Sequence, residues 1–249
     1  MAGNTARAGA TAASRVLAIF DAFDPGHREL SLSELARRAR LSLTTAHRVV
    51  AELVAWGALH RLANGNYVLG RRIWDLGLLA PVETGLRETA SPFLHDLYAA
   101  TLATVHLAVR DGTEVLYLDR LAGHASVPVV SQIGSRLPMY ATGVGKVLLA
   151  HAPDPVRRAV FSRLTRITRH TITQPGILSR QLSRVLREGF AQTSEEMSLG
   201  AYSVAVPIRD RSGNVVAALG LVVPDLRRDR PRLVSALQVA AQGVGRSLT

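Results

Sequence analysis

The stretch Leu32-Ser-Glu-Leu-Ala-Arg-Arg-Ala-Arg40-Leu41-Ser42-Leu43-Thr44-Thr45-Ala46-His47-Arg48-Val49-Val50-Ala51-Glu52-Leu53-Val54-Ala55-Trp56 decides how this chain is read. It predicts two short helices joined by a tight turn. In the first, Leu32, Leu35, Ala36 and Ala39 recur at helical spacing and form one apolar stripe. Ser31 with Glu34 three residues on is a capping box, which satisfies two N–H groups at the helix start. Ser42 is placed to cap the second helix. That helix puts Leu43, Ala46, Val49, Val50, Leu53 and Trp56 on one side. The other side carries Thr44, Thr45, Arg48 and Glu52, with His47 at its margin and small Ala51 and Ala55 behind. Such a face suits the major groove, where Arg reads guanine and Thr reaches phosphate or a thymine methyl. Two amphipathic helices alone are read more simply as an ordinary helical hairpin whose polar face is solvated.

The flanking sequence extends the pattern. His60 to Leu69 predicts a β-hairpin with its tip at Asn64-Gly65, a pair that tolerates positive φ. Upstream, Ser14 to Asp24 predicts a helix with Val16, Ile19, Phe20 and Phe23 inward, ended by Asp24-Pro-Gly26. Three helices followed by a hairpin is the order of a winged helix-turn-helix. Arg61 and the Asn64-Gly65 tip are then placed to touch DNA backbone or minor groove.

At 249 residues the chain has room for two domains with real cores. Hydrophobic content of 47% with 20% charged residues is globular. No apolar run is long enough for a membrane span, and the first residues lack a signal-peptide core. Met1 to Ala13 is small and polar and reads as a flexible arm. Zero cysteines exclude disulfides and Cys-ligated zinc and fit a cytoplasmic protein. The net charge of +11 is spread out: residues 1–80 hold a surplus of four basic groups and residues 81–249 a surplus of seven. The charge therefore argues little for nucleic acid by itself. Lys146 is the one lysine among the thirty basic residues.

Further along, Leu69 to Leu79 and Glu83 to Leu102 read as helices separated at Pro81. Residues 71–102 are thus expected to be a helical linker, with an apolar face broad enough to meet a second subunit. From Ala103 the period changes to two. Strands are expected at Val105–Val109, Val115–Leu121, Val127–Gln132, Phe190–Ser194, Ser203–Arg209 and Val215–Val223. Helices are expected at Gly143–His151, Pro155–Leu164, Ser179–Glu188 and Asp225–Ser247. Antiparallel strands with segregated helices make residues 103–249 an α+β, sensor-like domain behind a DNA-binding domain at 14–70.

Catalytic chemistry is sparse. Thr142-Gly-Val-Gly145-Lys146 fails as a phosphate loop, since Tyr140 stands at the first required Gly and Val147 where Ser or Thr is needed. What survives is a Gly-containing turn into a helix, whose free N–H groups can hold an anion. Glu195-Glu196 reads as a solvated loop in preference to an acid–base pair. The eight histidines show no metal-ligand spacing. His106, on a strand in an apolar context, reads as a core or pocket histidine. No cofactor and no metal are expected.

With these residues laid out, the chain resembles the IclR family of bacterial transcriptional regulators over nearly its whole length. The matching segments are Ser14–Leu17, Leu43–Val50, Tyr67–Gly70, Leu137–Lys146, Gly189–Ala191 with Glu195-Glu196, and Ser203–Ile208. The resemblance implies a winged helix-turn-helix, a helical linker and a GAF-like effector domain with an antiparallel sheet. It also implies homodimers, often paired into homotetramers, on palindromic double-stranded operators. Expected DNA contacts are Ser31, Ser42, Thr44, Thr45, His47, Arg48, Arg61, Asn64 and Gly65. The implied effector pocket lies beside Leu137–Gly145, and its expected residues are His106, Met139, Ala141, Thr142, Gly143, Thr193, Ser203, Gly220 and Val222. Members that bind small keto acids typically carry an Asp, a Cys and two Ser at the positions of Thr193, Ser203, Gly220 and Val222. Loss of those anchors, with apolar Met139 and Val222 and space at Gly220, points to an aromatic or bulky acid in preference to a glyoxylate-like one. Its carboxylate would meet the Ala141–Gly143 amides. The alternatives are a DNA-binding protein without an effector, or an enzyme using the second-domain pocket.

Overall fold

The computed structural model describes residues 11–79, 84–123, 127, 129–227 and 229–248. Most of the expected arm, and the expected break at Pro81, lie outside them. The chain divides into two compact units, residues 1–82 and 83–249.

In the first unit α1 (Ala12–Phe20), α2 (Leu32–Arg38) and α3 (Leu43–Trp56) precede the hairpin β1 (Leu59–Arg61) and β2 (Tyr67–Leu69), and α4 (Arg71–Leu78) follows. The last residues assigned to the arm belong to α1, where Thr11 Oγ1 accepts the Ser14 N–H at 3.1 Å. Ile19, Leu35, Ala46, Val49, Val50, Leu53, Leu59 and Tyr67 form the core. The α3 stripe was expected to include Leu43 and Trp56, yet both are about half exposed. The seven residues of α2 span about 10 Å, half the length of the fourteen-residue α3. The Arg72 guanidinium lies 4.6 Å over the Trp56 ring instead. Leu30 pairs with Tyr67 through two backbone hydrogen bonds and ties the hairpin to the start of α2.

In the second unit α5 (Thr84–Thr101) leads into β3 (Thr104–Asp111), β4 (Glu114–Leu121) and the short β5 (Arg136–Pro138). A 3-10 turn, Met139–Ala141, then runs into α6 (Gly143–Ala150), α7 (Asp154–Phe161) and α8 (Pro175–Glu188). Strands β6 (Ala191–Ser194), β7 (Tyr202–Arg209) and β8 (Val215–Val223) precede the closing α9 (Arg230–Ser247). The six strands form one antiparallel sheet in the order β5-β4-β3-β8-β7-β6. Alternation sends Val105, Leu107, Val204, Val206, Leu219 and Leu221 to the face covered by α5 and α9. Ala108, Ala205 and Ala218 face the other side, where α6 packs with α8 behind it. Small residues on that face let α6 approach the strands closely.

The strand expected at Val127–Gln132 is absent from the described residues there. Gly134, at φ +83°, turns the chain back so that its N–H reaches the Tyr117 carbonyl at 2.8 Å. Pairing with β4 then begins at Arg136. The apolar Val129 and Val130, which suggested a strand, lie over one end of the sheet's α6 face.

Candidate nucleic-acid interface and effector site

Ser42 caps α3, its hydroxyl accepting the Thr45 N–H at 3.3 Å and donating to Thr45 Oγ1 at 2.8 Å. Ser31 is likewise committed to the capping box, with its N–H and Oγ donating to Glu34 Oε2 at 2.8 and 2.7 Å. Thr44, His47, Arg48, Ala51, Glu52 and Ala55 are exposed along one side of α3, with Thr45 half-buried. Among the described residues the Arg48 and His47 side chains make no hydrogen bond or ion pair, which leaves this face open to a partner. On the hairpin, Gly65 adopts φ +86°, a conformation that favours glycine. The Asn64 and Asn66 amides both donate to Glu29 Oε1 at 2.8 Å, so Asn64 is exposed but tied to Glu29. Arg61 stays exposed beside the Tyr67 ring, at 5.8 Å.

In the second unit a cavity of about 50 Å3 lies between α6 and the sheet. Thr142 caps α6, its Oγ1 accepting the Gly145 N–H at 3.1 Å. The helix start sits directly on β7: a Cβ at Gly143 would lie 2.5 Å from Ser203 Oγ. Ser203 Oγ and Thr193 Oγ1 are 2.5 Å apart. Across the cavity His106 Nε2 is 2.8 Å from Ser131 Oγ and meets the Tyr117 ring edge-on, with centroids 4.9 Å apart. Burial, aided by the Arg120 charge, pushes the His106 imidazole down to about 3, so it is neutral at physiological pH. Burial raises the Tyr117 phenol. Among the described lining residues none is charged. No group of three or more metal-ligating side chains occurs among the described residues, and none of their helices is long and apolar enough to cross a membrane.

Both units match known sequence families. "IclR helix-turn-helix domain" matches residues 12–63 and "Bacterial transcriptional regulator IclR C-terminal" matches residues 80–246. The chain belongs to the IclR family. Its relatives include the HTH-type transcriptional regulator XynR of Escherichia coli, 31% identical over 94% of this chain and 95% of that protein. Among solved structures, an IclR homolog from Microbacterium hydrocarbonoxydans complexed with 4-hydroxybenzoate is 36% identical, with a TM-score of 0.89. It covers 95% of this chain and 98% of its own. A transcriptional regulator from Rhodococcus superposes with a TM-score of 0.84 at 31% identity, over 95% of this chain and 97% of its own. This IclR-family chain is accordingly a ligand-responsive, DNA-binding transcriptional regulator with an α+β effector domain.

Eight of the nine effector residues expected for this IclR-family protein line the one cavity: His106, Ala141, Thr142, Gly143, Thr193, Ser203, Gly220 and Val222. Met139 does not. It is fully buried, because the 3-10 turn packs it with Val147, Leu149 and Leu178 in the core behind α6. The space expected at Gly220 is also taken, since a Cβ there would come within 2.8 Å of Val144 Cγ1. Tyr117, Ser131 and Met197 line the cavity unforeseen. The period-two pattern of β4 could have placed Tyr117, whereas Ser131 lies in an irregular segment with no periodicity to read.

The solvated-loop reading of Glu195-Glu196 needs correction at Glu196, which is buried. The Glu195 carboxylate accepts the Gly200 N–H at 2.7 Å, at a backbone φ of +54°. Glu196 is buried, and its Oε1 accepts from Lys146 Nζ at 2.5 Å. The two carboxylates are thus committed to different partners and form no acid–base pair.

Proposed function

We propose that the effector is an aromatic or similarly bulky organic acid, seated in the cavity under α6, and that its binding changes operator affinity. The observation that carries this reading is the uncharged, largely apolar lining. A compact, strongly hydrated acid would lose its hydration there with few compensating partners. The likeness to a protein solved with 4-hydroxybenzoate supports the same class of ligand. The carboxylate is assigned to the Ala141–Gly143 amides at the positive end of α6, beside Ser203.

A benzene ring does not fit a space of about 50 Å3. Ligand therefore selects an arrangement in which α6 and the 197–201 segment stand further from the sheet. Through α4 and α5 this arrangement alters the spacing of recognition helices in a dimer or tetramer on a palindromic operator. Thr44, Thr45, His47 and Arg48 supply base and phosphate contacts, and Arg61 with the Gly65 tip touches the adjacent backbone. Ser31, Ser42 and Asn64 act by holding these elements in place. On this reading the protein works in the cytoplasm as a regulator, and an imidazole held near 3 is too weak a base to activate Ser131.

A thermal-shift titration tests the effector class. Aromatic acids are expected to raise the melting temperature in a concentration-dependent way. Stabilisation by glyoxylate or pyruvate, with none by aromatic acids, would refute the assignment.

A further inference from the structure

The cavity has two polar ends of different chemistry. In the sheet, His106 pairs with Gly220 and Gly220 with Ala205, while Ser203 pairs with Val222 two residues along. His106 and Ser203 therefore stand on strands two apart, about 10 Å across the sheet. At the Ser203 end lie the Thr193 hydroxyl and the start of α6. At the other end lie His106 and Ser131, joined at 2.8 Å. Between them the walls are mostly apolar, formed by Val144 and Val222 among others, with Tyr117 beside His106.

We propose that His106 and Ser131 form a subsite that reads a hydroxyl group on the ring of the effector, so that the preferred ligands are hydroxyaryl acids. This rests on the reading of the cavity as the seat of an aromatic acid with its carboxylate at α6. The pair has the right inventory in either tautomer. If Ser131 donates to Nε2, the serine oxygen still accepts and Nδ1 carries the free proton. If Nε2 donates, the serine O–H is free to donate. Either way a ligand hydroxyl finds a partner, and an apolar substituent leaves a buried polar group unpaired. Neutral His106 offers no charge to a carboxylate, which sorts the two ends of the ligand. Arg120, the cross-strand partner of His106, does not line the cavity.

The test compares 4-hydroxybenzoate with 4-methylbenzoate, a near isostere that cannot hydrogen-bond, by calorimetric titration of the full-length protein. The wild-type protein is expected to bind the hydroxy acid about ten-fold more tightly or better. Ser131→Ala and His106→Phe are each expected to bring that ratio to within about three-fold. The ligand-free thermal transition of each variant reports folding, and Ser131→Ala carries the test alone if His106→Phe does not fold. Equal wild-type affinity for the two acids, or a preference that survives in folded Ser131→Ala, would overturn the subsite. Failure of both acids to bind the wild-type protein would overturn the aromatic-acid reading and the subsite with it. That failure is seen before any variant is made, so the two are told apart.

Discussion

Lys146, the chain's lone lysine, is 1% exposed in its side chain and meets a Glu196 side chain that is 5% exposed. Burial pushes the ammonium pKa down and the carboxyl pKa up, and their mutual attraction opposes both shifts. Glu196 Oε2 is buried with no hydrogen-bond partner, although the Ile172 and Ser194 amides lie near enough to favour the charged carboxylate. Such a pair adds little net stability, but losing one partner strands a charge in the core. Lys146→Met is expected to lower unfolding free energy by about 3–5 kcal/mol. The double variant Lys146→Met, Glu196→Leu should recover most of that loss in urea denaturation. Equal destabilisation by the single and double variants would show that packing, not charge pairing, sets the cost. None of this was legible in the sequence, because the partners lie fifty positions apart and Glu196 follows an exposed-looking Glu195. Ser131 was hidden for a related reason: its partner His106 is twenty-five positions earlier, across the sheet.

At the scale of elements, periodicity carried much of the fold. The α3 stripe from Ala46 to Leu53, the capping box at Ser31 and Glu34, and the alternation of β3, β7 and β8 are local properties, so local sequence shows them. Where tertiary context decided, the sequence misled. Leu43 and Trp56 are about half exposed despite lying on the apolar stripe, and the described residues of Val127–Gln132 have strand-like composition but form no strand. The exposed side of α3 was legible because Thr44, His47, Arg48 and Glu52 are polar where a packed helix face would carry apolar residues. Arg48→Ala is expected to cost about 1–3 kcal/mol of specific operator affinity while leaving the thermal transition of the first unit intact. Unchanged operator binding by the folded variant, measured by fluorescence anisotropy at fixed salt, would remove Arg48 from base readout.

For the whole molecule, function is a coupling between two units, one holding the exposed α3 face and the other the cavity. The net charge of +11 is shared between them, so non-specific attraction to DNA does not distinguish the recognition face. On the proposed reading, specificity comes from side chains on α3, and control from a difference in ligand affinity between two arrangements. Linkage makes that control measurable from either side: an acid that weakens or strengthens operator binding is itself bound more weakly or strongly by the DNA complex, by the same factor. Operator selected from random DNA supplies the probe, and anisotropy titrations with and without saturating 4-hydroxybenzoate supply the measurement. The account predicts an operator dissociation constant that changes by about five-fold or more when the cavity is filled. An acid shown to saturate the cavity while leaving operator affinity the same would contradict it.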